Sequence, residues 1–169
     1  DFESALTLMP YDVDGLLKKN NLTAEVLEQM MAFSAMNDGD DAKAITALQG
    51  LVDKGSLEST VYANLAKLHL KGGDTTAALE TIEAGREVNE TDKTLTNLKL
   101  DIYLKQGRSA ELVKELDEAI ESDPGNVVYY FARAITFEGM GEIEKASADY
   151  DKILEIDPEY YDAAFNKGV

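Results

Sequence analysis

The chain of 169 residues has no cysteine, no tryptophan, one histidine and three prolines. Without cysteine, disulfides and cysteine-ligated zinc are excluded. No window approaches the roughly 18 consecutive apolar residues of a spanning helix, so membrane insertion is not expected. Cations are also scarce: 16 Lys and Arg stand against 33 Asp and Glu, a formal net charge of −17. A chain this acidic repels phosphate backbones and anionic membrane surfaces, which argues against nucleic acid as a partner. The same charge keeps the protein soluble and could steer it towards a basic partner.

What the chain does have is a period. Gly39, Gly73, Gly107 and Gly141 fall 34 residues apart, each in a short polar turn: "NDGDDAKA", "KGGDTTAA", "KQGRSAEL" and "GMGEIEKA". Five positions after each glycine comes Ala44, Ala78, Leu112 or Ala146; seven before it stands Ala32, Ala66, Leu100 or Ala134. Segments such as "VYANLAKLHL" before the glycine and "AALETIEAGREV" after it carry apolar residues at helical spacing. The glycine suits a helix C-terminus, where a left-handed residue is needed. Asp40, Asp74 and Glu142 favour the start of the following helix, and Pro124 and Pro158 close the second one. The unit is helix, turn, helix.

This pattern resembles the tetratricopeptide repeat. Residues 127–160 match best, with Tyr130, Ala134, Phe137, Gly141, Ala146, Tyr150, Ile153 and Pro158 at signature positions, although Ile153 is larger than the usual alanine. Residues 93–126 and 59–92 match less fully, and 25–58 least, with Glu28 and Ser56 in place of an aromatic and a proline. The fold expected is all-α, a right-handed α-solenoid of antiparallel helix pairs, forming one domain over 1–169. Its parts would be a second helix of a preceding repeat at 1–10, an inserted connection at 11–24 with Thr23 or Asn21 capping the next helix, four repeats, and a first helix at 161–169. On this reading the chain begins and ends mid-repeat, as a window from a longer array.

One helix pair cannot bury its own apolar face, so stacked pairs share a core. Tyr62, Tyr103, Phe137 and Tyr150 are expected there by periodicity, as is His69, which shares a repeat position with Tyr103 and Phe137. In the resembled family the first helix of each pair lines a concave groove. Carried over by repeat position, this implies a site of Phe33, Asn64, Lys67, Asn97, Asp101, Phe131, Ile135, Phe165 and Asn166. Phe131, Ile135 and Phe165 would make an apolar end for an anchor side chain, and Asn64, Lys67, Asn97 and Asp101 a polar middle. The clamp by which some relatives hold a terminal carboxylate would fall on Gln29, Phe33, Asn64, Thr94 and Leu98, of which only Asn64 fits.

No chemistry of catalysis is visible. No G-x-S-x-G motif accompanies His69, "KGGDTT" lacks the phosphate-loop pattern, and "NDGDDAKA" lacks the order of a calcium loop. Carboxylate neighbours such as Asp117 and Glu118, or Asp149 and Asp151, read as solvated helix faces. The expectation is a non-catalytic scaffold without cofactor or metal that binds a protein or peptide in its groove. The alternatives are a module that self-associates weakly end to end through unmatched helices, or a regulatory arm of a larger protein.

Overall fold

Four helices along the chain stop in the same way. In the computed structural model, which describes residues 23–168, Gly39, Gly73, Gly107 and Gly141 have φ of 76°, 83°, 65° and 78°. Their N–H groups donate to the carbonyls of Met36, Leu70, Leu104 and Glu138. The N–H of the next residue reaches further back, to Ala35, His69, Tyr103 and Phe137. These two bonds satisfy the last carbonyls of a helix once the residue beyond its cap turns left-handed.

Because the stop recurs every 34 residues, the starts do too. The helices are α1 Ala24–Asn37, α2 Asp41–Asp53, α3 Ser59–Lys71, α4 Thr75–Val88, α5 Lys93–Lys105, α6 Ser109–Ser122, α7 Val127–Gly139, α8 Ile143–Ile156 and α9 Tyr161–Lys167. Only α1 breaks the register, and Thr23 explains its start: the Thr23 hydroxyl accepts from the Val26 N–H at 3.1 Å. The other capping candidate, Asn21, and the expected helix over 1–10 lie outside the described residues, as does most of 11–24. Asp40 and Asp74 cap α2 and α4 by accepting from the N–H groups of Lys43 and Ala77. Glu142 begins α8 without a capping bond and pairs instead with Lys145. Pro124 and Pro158 lie just past the ends of α6 and α8.

The chain divides into two compact units between Leu95 and Thr96. In the first, Leu48, Leu51, Leu65, Ile82 and Leu95 are buried, with Ala32, Ala44, Ala66 and Ala78 between them. In the second, Leu116, Tyr150 and Ile153 are buried with Ala134 and Ala146. Small residues at these repeat positions let paired helices approach closely. Gly85 goes further. A Cβ there would lie 2.6 Å from Tyr62 Cβ and 2.8 Å from Leu95 Cδ1. Alanine at this helical position would ordinarily gain about 1 kcal/mol over glycine. Overpacking costs about 1–3 kcal/mol, and Tyr62 Cβ is tied to its backbone and cannot yield cheaply. Gly85→Ala is therefore expected to lower the urea midpoint, whereas an unchanged or raised midpoint would show that α4 has room to move.

Two sequence expectations need correction. Tyr103 is only half-buried: it packs against the edge of the second unit's core, and the Arg108 guanidinium lies over its ring at 4.5 Å. Asp149 does not lie on a solvated face: it is buried on α8, and Arg133 of α7 holds both its oxygens, at 2.9 and 2.6 Å. Its neighbour in that reading, Asp151, is exposed and pairs with Lys167. Tyr62, Phe137 and Tyr150 are buried and His69 is half-buried.

Candidate functional site

In the first unit the nominated side chains come from α1 and α3. Phe33 is exposed, and so are Val26 and Met30, seven and three positions before it, which gives α1 an apolar stripe towards solvent. On α3, Asn64 is half-buried and Lys67, one turn on, is exposed. An open cleft of about 930 Å³ also lies in this unit, lined by Met31, Ser34 and Ala35 of α1 and Ala42, Ala47 and Gly50 of α2 among others. None of Phe33, Asn64 and Lys67 contributes to it.

The second unit carries the more developed arrangement. Phe131 of α7 is half-buried between two tyrosines, with ring centroids 6.1 Å from Tyr150 of α8 and 5.6 Å from Tyr160 before α9. Such tilted aromatic contacts hold a ring in place beyond simple burial. Ile135, one turn along α7, is exposed, and Val128 also faces solvent. Phe165 of α9 is 70% exposed and stacks on Tyr161 at 6.4 Å. The Asn166 amide donates to the Tyr150 hydroxyl at 3.4 Å. On α5, Asn97 is exposed and Asp101 is half-buried, its carboxylate engaged by Lys105 at 2.6 Å.

Tyr150 is the common point. Burial pushes its phenol up to about 12 from an ordinary value of 10, and hydrogen bonding to Glu138 adds to the shift. The neutral hydroxyl is thus the form present at neutral pH, able to donate to Glu138 while accepting from Asn166. Because the folded value is raised, the associated stability is fully present below pH 10 and is lost as pH rises towards 12. Titrating phenolate absorbance alongside helical circular dichroism should show alkaline loss of structure in that window, less marked in Tyr150→Phe. An identical alkaline transition in the variant would remove Tyr150 as its cause. The repeat period puts Tyr150 in the core, but the polar contacts at its hydroxyl come from α7 and α9 and have no local signature.

At the end of the first unit, Asp92 caps α5 through the N–H groups of Thr94 and Leu95, at 2.8 and 3.1 Å, and also accepts from the Ser59 hydroxyl. Burial acts to raise its carboxyl, but these hydrogen bonds outweigh it and hold the group below the usual range. Glu90 stands where the repeat's closing proline is expected, and Asp92 supplies the helix start that follows.

Among the described residues no group of three or more His, Cys, Asp or Glu side chains is placed to hold a metal, and no helix is long and apolar enough to cross a membrane. His69 has no serine–carboxylate arrangement drawn to it in the hydrogen bonds described; its carbonyl accepts from the Asp74 N–H.

Comparison with known proteins gives the same architecture. Solved structures of similar fold cover most of the chain. MamA has a TM-score of 0.67 at 18% identity, covering 85% of this chain and 79% of its own. A tetratricopeptide repeat protein from Parabacteroides merdae has 0.72 at 17%, covering 83% and 56%. YrrB, described as having an unusual peptide-binding site, has 0.63 at 18%, covering 86% and 75%. At these identities the likeness concerns the fold. Among curated proteins, sperm-associated antigen 1A of Danio rerio is 32% identical over 76 residues, 45% of this chain and 18% of its own length. The tetratricopeptide repeat and J domain-containing co-chaperone DNJ1 of Fusarium oxysporum f. sp. lycopersici is 31% identical over 101 residues, 58% of this chain and 19% of its own. The chain thus spans less than a fifth of the length of these relatives. A family model for a tetratricopeptide repeat-like domain matches residues 13–136, and one for the single tetratricopeptide repeat matches 127–160. With the recurring helix stops and the all-α repeat, these matches place the chain in the tetratricopeptide repeat family.

Proposed function

We propose that this chain is a protein–protein interaction scaffold that binds a peptide or partner helix through the first helix of each pair. The observation that carries the proposal is where exposed apolar bulk lies. Of the twelve large hydrophobic side chains exposed among the described residues, eight are on α1, α5, α7 and α9. None is on α2, α4 or α6, nor on the first helix α3, and two are on α8. Apolar side chains scattered singly need no explanation, but their concentration on one set of helices marks a surface kept for contact. Of the nominated residues, Phe33 in the first unit and Asn97, Asp101, Phe131, Ile135, Phe165 and Asn166 in the second belong to the same helices, while Asn64 and Lys67 are on α3, the first helix of its pair. Amide and carboxylate groups beside apolar anchors suit an extended peptide, whose backbone takes the hydrogen bonds, or a helix, whose polar side chains take them, while apolar side chains fill the apolar places.

Peptides selected from a displayed random library against the chain would test this. Binding is expected to fall at least about tenfold in Phe131→Glu, Asn97→Ala, the loss usual for a central anchor. Phe131 is half-buried, so the exposed Ile135→Glu serves as a second variant, with circular dichroism reporting on the fold of both. Selected peptides that bind the variants as well as the wild type would place the working surface elsewhere.

A further inference from the structure

The charges of the second unit are unequally spent. Residues 96–169 contain eight Lys and Arg against 16 Asp and Glu. Every one of the eight cations is paired with a carboxylate of the same unit. Glu138 and Asp162 are among several carboxylates that take no part in these pairs, and neither has an ion-pair partner among the described residues.

Both belong to the patch built around Tyr150. Glu138 follows Val128, Phe131 and Ile135 on one face of α7, at ten, seven and three residues' distance, and hydrogen bonds with Tyr150. Asp162 precedes Phe165 and Asn166 by three and four residues on α9, which puts all three on one face, and Asn166 reaches the same Tyr150 hydroxyl. The exposed apolar side chains Val128, Ile135 and Phe165 therefore share their surface with two carboxylates that no cation of this unit neutralises.

Resting on the reading that this surface takes a peptide, we infer that its occupant is a basic segment: an apolar anchor side chain next to lysines or arginines. The anchor fits among Val128, Ile135 and Phe165, and the cations meet Glu138 and Asp162. A second copy of this chain is disfavoured as occupant, since it brings a further net −17 to the same surface. An acidic peptide is disfavoured for the same reason, because like charges brought together at an interface suppress binding.

The probes are fluorescein-labelled synthetic peptides with one Leu-Phe anchor, followed by a run of lysine, of glutamine or of glutamate. Fluorescence anisotropy with the whole chain gives their affinities, and light scattering follows self-association. The lysine peptide is expected to bind at least about tenfold more tightly than the glutamate peptide, with the advantage shrinking as salt rises, because exposed charges are screened beyond about 10 Å at 0.1 M. Glu138→Gln, Asp162→Asn should weaken the lysine peptide several-fold and leave the glutamine peptide unchanged. Ile135→Ser, Phe165→Ser should weaken both. If lysine and glutamine peptides bind alike and only the apolar variant matters, the peptide surface stands and the basic-partner inference falls. If no peptide binds, or binding ignores Ile135 and Phe165, the reading of the surface fails and the inference with it. A lysine peptide that binds but ignores the Glu138 and Asp162 changes is attracted by general acidity, which overturns the inference. So does self-association that Phe165→Ser abolishes and that blocks the peptides.

Discussion

Glu115→Thr is expected to destabilise the second unit by about 3–5 kcal/mol, while Lys99→Leu, Glu115→Thr costs little or is stabilising. Lys99 of α5 and Glu115 of α6 form an ion pair whose side chains are 8% and 5% exposed. Taking two charges from water is expensive, and their attraction repays it only while both are present. Removing the carboxylate leaves a buried ammonium; removing both leaves two ordinary side chains. The chain holds its own control for the double change. One repeat earlier, 34 residues back, Leu65 and Thr81 occupy the corresponding places, and both are buried. Urea denaturation of the two single variants and the double variant would complete a double-mutant cycle. Singles no worse than the double would mean that the pair contributes nothing as a pair.

The second large effect is expected at the equivalent pair one repeat later. Arg133 and Asp149 lie 34 residues beyond Lys99 and Glu115. The guanidinium grips Asp149 with two nitrogens and reaches Asp117 of α6 with a third at 2.5 Å, so one side chain joins α6, α7 and α8. The hydrogen bonds that the guanidinium donates to Asp149, against the opposing effect of burial, raise its already high pKa, so it stays charged at any pH of interest. The side chain also lies over the rings of Tyr130 and Phe137, at 5.7 and 6.0 Å. Arg133→Leu strands the Asp149 carboxylate, 7% exposed, without its cation. The expected loss is again about 3–5 kcal/mol. Lysine in its place should recover only part, because a point charge cannot reproduce the planar two-pronged grip. Full recovery by Arg133→Lys would show that charge alone, without geometry, holds the three helices. Asp117 is half exposed, and Asp117→Asn should cost no more than about 1 kcal/mol.

How much of this was legible in the sequence depends on how local its cause is. The helix stops at Gly39, Gly73, Gly107 and Gly141 need one residue with positive φ and a few backbone bonds, so a period of glycines gives the helix starts at Thr75, Ser109 and Ile143 almost to the residue. The core alanines follow from the same register. The buried ion pairs did not show, because adjacent carboxylates on a helix look solvated when read along the chain. Yet one column of the repeat runs Met31, Leu65, Lys99, Arg133, Lys167, and its partner column runs Ala47, Thr81, Glu115, Asp149. Reading down the repeats instead of along the chain pairs Lys99 with Glu115 and Arg133 with Asp149 by register alone. At the candidate site, the identity of the exposed side chains of α7 and α9 was readable from repeat position. The link from Glu138 through Tyr150 to Asn166 joins three helices and was not.

If the first helices carry the working surface, as proposed, a bound peptide must register on them. Amide and methyl chemical-shift mapping of the labelled chain with a bound peptide tests this most directly. Perturbations are expected on α7 and α9, around Phe131, Ile135, Phe165 and Asn166, extending to Asn97 of α5. Perturbations confined to the solvent faces of α6 and α8, near Lys114 and Lys152, would contradict the proposal.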